Sequence, residues 1–143
     1  MTYAATTKVN VDQTRTEIER TLTRYGADRF AYFSEAGRAI IIFEAHQRRL
    51  KFDLPLVAPK PGENEASRKT REQATRSRWR ALLLCIKAKL EAVESKIETF
   101  EEAFLSHVVM PDGRTVAEHT IPAIAKSYDH GSMVPLLPAP GAK

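Results

Sequence analysis

The side chains best suited to chemistry in this sequence crowd into one stretch, SRKTREQATRSRWR, from Ser67 to Arg80. Arg68, Lys69, Arg71, Arg76, Arg78 and Arg80 stand there against a single acid, Glu72. Guanidinium and ammonium groups at this density suit phosphate, which arginine grips with a planar fork of donors. Between Gly62 and Arg78 the only aliphatic side chains are Ala66 and Ala74, so the segment lacks a face with which to enter a core. It is expected to project as a helix extension, to stay partly disordered or to bind a partner. Arg48 and Arg49, next to His46, form a smaller basic group that suits either phosphate or a polar hairpin loop. Trp79 or Tyr32, if exposed, would offer rings for base stacking.

From Trp79 onward the character changes. Trp79, Leu83, Ile86, Leu90, Val93, Ile97, Phe100 and Phe104 recur at alternating intervals of four and three. That spacing predicts one long amphipathic helix from near Glu65, ended by Pro111-Asp112-Gly113. The stripe needs a partner surface. An antiparallel pair of such helices, centred between Glu91 and Ala92, sets Trp79 against Phe104, Leu83 against Phe100, Ile86 against Ile97 and Leu90 against Val93. Arg80 would then meet Glu101 and Lys87 would meet Glu94, while Lys89 would face Lys96 unfavourably. The plainer alternative packs the stripe on this chain's own sheet and last helix.

Motifs for catalysis and for cofactors do not emerge. His46, His107, His119 and His130 are not spaced as helical ligand pairs, and the single Cys85 offers no cysteine pair for zinc. Cys85, within LLLCIK, reads as a small buried hydrophobe. Neither phosphate-binding glycine pattern occurs, and no serine sits in a nucleophile elbow. Neighbouring acids such as Glu101 and Glu102 do not converge on one point. No enzyme, metal or cofactor is expected.

Twenty-two Lys and Arg against 18 Asp and Glu, over 143 residues, give a formal charge of +4, mildly favourable to an anionic partner. The sequence opens MTYAATTKVN, without the apolar run of a signal peptide, and the single cysteine fits a reducing compartment, so the cytoplasm is expected.

The elements that must position these groups are legible in outline. A helix is expected from about Gln13 to Tyr25, with Asp12 as N-cap and Gly26 at its end. RFAYFS (29–34), AIIIFEA (39–45) and LKFDLPL (50–56) read as three strands of an antiparallel meander. Their connections are Glu35-Ala36-Gly37-Arg38 and His46-Gln47-Arg48-Arg49. Pro59, Pro61 and Gly62 break the chain next. Thr115 and Glu118 suggest a capping box before a last helix to Tyr128, kinked or split at Pro122 and closed by Gly131. The fold class is α+β: a helix on a three-stranded antiparallel meander, then a long amphipathic helix and a shorter one. The chain divides into residues 1–57, a basic boundary segment 58–78, a helical region 79–130 and a proline-rich tail 131–143.

RYGADRFAYF, AIIIFEAHQRRLKFDLPL, the run from Arg78 to His119 and the terminal PLLPAP resemble a family of small uncharacterised proteins encoded by tailed phages and prophages. The resemblance covers most of the chain after Arg24 and transfers no functional residue. It implies a phage or prophage product acting in the bacterial cytoplasm, serving DNA replication or recombination or binding host proteins to disarm defence. The leading expectation is a non-enzymatic nucleic-acid binder using the basic block with Arg48 and Arg49. The competing one is a protein-interaction module, an inhibitor or adaptor of a host defence protein, acting through the stripe. Homodimerisation through that stripe is a third partner expectation.

Overall fold

Two-residue period and two tight turns build the sheet. In the computed structural model, which describes residues 4–140, β1 (Arg29–Glu35), β2 (Arg38–Ala45) and β3 (Arg48–Pro55) pair antiparallel in sequence order. Tyr32 lies opposite Ile41, and Ile41 opposite Phe52. Ala39, Ile41, Phe43, Leu50, Phe52 and Leu54 point to one side and are buried. The second turn takes only His46 and Gln47, both at positive φ (52° and 62°), as a primed hairpin turn requires. Its shortness lets β3 start at Arg48 rather than Leu50. His46 is held in that left-handed state by its own side chain: Nε2 donates to Tyr25 O at 2.9 Å, and its ring lies 4.4 Å from that of Phe100.

Helix α1 (Val11–Thr23) and helix α2 (Glu65–Glu94) cover the buried side of the sheet. The cap of α1 is Asn10, whose side chain accepts from Gln13 N; Asp12, expected there, sits in the first turn instead. Gln73 donates to the carbonyls of Ala5 and Thr7, while Arg80 and Lys87 reach Glu17, so α1 and α2 run in the same direction. Ile18 and Leu22 join Trp79, Leu83, Ile86 and Leu90 over Phe43 and Phe52. This one core draws on both sides of residue 57. Residue 78 lies inside α2, so the expected divisions there do not separate cores.

The single long helix expected to reach Pro111 is corrected by the structure: α2 ends at Glu94. Lys96 takes φ 60°, its N–H donates to Val93 O at 3.1 Å, and Ile97 N–H donates to Ala92 O at 2.9 Å. That pair of bonds is a Schellman stop with lysine where glycine is usual. The chain restarts at Thr99, which forms a reciprocal capping box with Glu102 and opens α3 (Phe100–Phe104). Phe100 stacks on Phe104, and Phe104 meets Phe43 and Phe52 edge-on. The heptad-like stripe thus belongs to two helices folded against one core. Ile97, left in the turn, is 77% exposed.

A 3-10 turn (Leu105–His107) leads to Val108, which bridges to Leu50, and Val109 N–H donates to Arg49 O at 2.8 Å. This short segment lines the outer edge of β3. Gly113, at φ 86°, closes the next turn, and Thr115 caps α4 (Val116–His130) by accepting from Glu118 N. Pro122 neither splits nor ends α4. It removes the N–H that would bond Glu118 O, and the Arg114 guanidinium donates to that carbonyl at 3.3 Å. Gly131, at φ 65°, ends the helix as expected. Beyond it Val134 N–H donates to Ser127 Oγ, and Leu137 and Pro140 share a small cavity with Met110 and His119, so the tail lies back on the body. The expected N-terminal region and tail extend to 1–3 and 141–143, which lie outside the described residues. Among the described residues no helix is long and apolar enough to cross a membrane.

Lys96 supplies a prediction. A non-glycine residue in the left-handed region costs about 1 kcal/mol. Lys96→Gly is expected to stabilise the protein by about that amount, read as a higher urea midpoint with an unchanged slope.

Candidate functional site

The basic block is helical throughout, as the first half of α2, and most of its charge is met within the chain. Arg71 forks onto Glu63 with contacts of 3.0 to 3.2 Å, and this hydrogen-bonded guanidinium holds the Glu63 carboxyl below its usual range. Arg68 reaches Glu65 and Glu72, and Lys69 reaches Glu65. Arg80 reaches Glu17 at 2.6 Å and Lys87 reaches it at 3.2 Å; Arg80's hydrogen bond is the main cause of that carboxyl's lowered pKa. Arg48 pairs with Glu101 and Arg49 with Glu44, so these two point to acids on different elements. Of the eight basic residues expected to meet nucleic acid, Arg76 and Arg78 lack a carboxylate partner among the described residues, and Arg76 is tied to Gln73 Oε1 at 2.6 Å. Glu17 lies 63 residues before Arg80, so counting charges within the block could not reveal it, whereas Glu63 and Glu65 stand just outside the block.

The stripe residues are likewise placed inside this chain. Trp79, Leu83, Ile86, Leu90 and Phe104 are buried, and Val93 and Phe100 pack against the same core. The antiparallel helix pairing needs one straight helix from Trp79 to Phe104, and the stop at Lys96 removes it. Trp79, buried, is not available for base stacking, and Tyr32 is half-covered beneath Arg15, whose guanidinium lies 5.3 Å from its ring. Cys85, expected inside, is exposed. It sits on α2 between the buried pair Leu82 and Leu83 and the buried Ile86, on the side turned away from the core.

Each inward histidine has its own local task. His107 donates from Nδ1 to Lys51 O at 3.1 Å and stacks on Phe52 at 3.9 Å. His119 Nε2 lies 2.7 Å from the Asp112 carboxylate. Together with His46 at its turn, they serve three different places. Among the described residues no group of three or more His, Cys, Asp or Glu could hold a metal ion.

What the sequence reading did not single out is α4. This 15-residue helix contains no buried residue. Ala117, Ile121, Ile124 and Tyr128 follow one another at steps of four, three and four, and so share one face. Ile121 is 64% exposed, Ile124 42% and Tyr128 84%. Opposite Ile121 and Ile124 lie Ala88 and Ala92 of α2 and Ala103 and Leu105 of the α3 corner. A groove of about 680 Å³ separates the two walls. Ala88, Ala92, Ala103 and Ala117 line it with the larger aliphatic side chains, and Lys89, Glu98 and Glu102 add polar groups. The signal was present in the spacing of Ala117, Ile121, Ile124 and Tyr128, but Pro122 within it argued for a broken helix. Compared with known protein families, curated protein sequences and solved structures, the chain matches none.

Burial is the main cause of a lowered His107 pKa, with nearby Lys89 acting in the same direction. The folded protein therefore resists protonating this ring while the unfolded chain takes the proton near pH 6.5. Its contribution to stability is complete above about pH 6.5 and is lost as pH falls below that. Thermal melts between pH 7.5 and about 5.5 are expected to show a falling Tm, and His107→Gln is expected to flatten that slope.

Proposed function

We propose that this protein is a non-enzymatic interaction module that takes up a segment of a partner protein in the groove between α4 and the α2–α3 corner. The observation that carries this reading is the bare apolar face of α4. An isolated helix of this length is marginal in water, and helices in proteins owe their stability mainly to a packed face. A contiguous exposed apolar patch with a polar rim is the usual mark of a protein contact. A groove lined by small alanines among larger aliphatic side chains has room for large side chains from an incoming helix or extended segment. In the phage or prophage setting implied by the sequence resemblance, the partner is a host protein of the bacterial cytoplasm, such as a defence component.

Ile121→Asp with Ile124→Asp is the corresponding variant, since both residues are exposed and their change leaves the core intact. Proximity labelling in host cells is expected to mark a defined protein with the native chain and to lose it with the variant, while both keep the same circular dichroism. An identical set of labelled proteins from the two would count against the groove.

Nucleic-acid binding through α2 is the second reading, favoured by Arg76 and Arg78, which have no carboxylate partner among the described residues. Two phosphate contacts would give a log–log salt slope of about −2, against about −7 for all eight basic residues. Mobility-shift titrations are expected to show at most a loss of roughly tenfold on a fourfold rise in salt. A slope near the larger value would restore the whole block as the binding surface.

A further inference from the structure

We propose that β1 pairs with β1 of a second copy, antiparallel about a two-fold axis at Tyr32, to make one sheet of six strands. This inference stands apart from the α4 reading and uses the opposite edge of the sheet.

The two edges of the sheet are treated differently. The outer edge of β3 is lined by the segment around Val108 and Val109. The outer edge of β1 has no partner strand among the described residues. It is seven residues long, with Phe33, one residue past its middle, 53% exposed. An open edge with an exposed aromatic residue is a template for another strand.

The solvent side of the sheet shows which strand fits. Arg49 pairs with Glu44 at 3.6 Å and Glu44 with Arg29 at 3.5 Å, a row of alternating charge across three strands. At the other end of β1, Glu35 pairs with Arg38 at 3.9 Å. Each row therefore stops at the open edge, one on a cation and one on an anion. Pairing about Tyr32 sets Arg29 opposite the partner's Glu35, and the row becomes Arg49, Glu44, Arg29, then the partner's Glu35 and Arg38. The next row becomes equally consistent: Ile42 and Ala31, then the partner's Phe33 and Ile40. The neighbouring registers that keep side chains on the correct faces lose this match. One sets Arg29 against Phe33 and the other sets Glu35 against Ala31. Opposite charges directly across an antiparallel pair are favourable and like charges are not. A two-fold axis perpendicular to the sheet keeps both helical layers on one side. Because the β3 edge is occupied, the contact is isologous and closes at two copies.

Sedimentation equilibrium of the full chain tests this. The native protein is expected at twice the chain mass, and Arg29→Glu and Glu35→Arg are each expected to weaken the dimer about tenfold, since each places two like-charge contacts across the axis. Mixing the two variants restores opposite charges at both contacts and is expected to recover native-like association. Amide exchange of native β1 is expected to slow as concentration rises. A native monomer at the highest concentration, a dimer indifferent to both reversals, a mixture no tighter than either variant alone, or β1 exchange independent of concentration would each overturn the proposal.

Discussion

The left-handed turn at Lys96 decides where the rest of the chain can go. Were α2 to continue, ten more residues would carry Phe104 about 15 Å beyond Glu94 along the helix axis. The ring would then lie away from the sheet. The stop at Lys96 and the restart at Thr99 bring Phe104 back against Phe43 and Phe52 instead. His107 can stack on Phe52, and Val108 can bridge to Leu50, only because α3 has already returned to the sheet. The cover on the β3 edge and the position of α4 both descend from that one turn.

The arginines of α2 follow a similar logic of internal use. Positive charge at a helix N-terminus opposes the macrodipole, yet this end also carries the Asn64 cap, Glu65 in the first turn and Glu63 just before it. Glu63 and Glu65 turn the immediate terminus acidic and take Arg71, Arg68 and Lys69 as partners. The exposed pairs of Glu65 with Arg68 and Lys69 add little stability one at a time. Glu17 differs, because one carboxylate holds cations about two turns apart on α2 and so fixes α1 alongside it. The basic block is thus accounted for in good part by the packing of α1 and of the loop before α2.

Much of the architecture was legible because it is written in short-range pattern. The β-branched run of β2, the alternation in β3, the glycine in the first hairpin and Gly131 after α4 each act within a few residues. The end of α2 was not legible, since Lys96 occupies a position where glycine is the usual marker, while the apolar period runs on through it. The Thr99 to Glu102 capping box was the contrary signal, and it was weaker than eight matched apolar positions. The candidate site was harder still. Which arginines are neutralised depends on Glu17 and Glu101, some fifty to seventy residues away from their partners. Whether an apolar stripe is covered or bare depends on three-dimensional packing. The two stripes of this chain have the same spacing, and one is buried while the other faces solvent.

The two surfaces left unmatched lie at opposite edges of the sheet. Lys51 of β3 reaches Glu118 of α4 at 3.8 Å, so α4 begins beside β3, with β2 between it and β1. Pairing through β1 therefore leaves both α4 grooves free, one at each end of a six-stranded sheet. Two grooves on one rigid frame would bind a repeated or oligomeric partner with an avidity beyond that of either groove, provided the partner's spacing matches theirs. A monomeric partner would gain nothing from the second groove. The strength of the contact would then depend on the assembly state of the protein it meets, which a single copy of this chain could not sense.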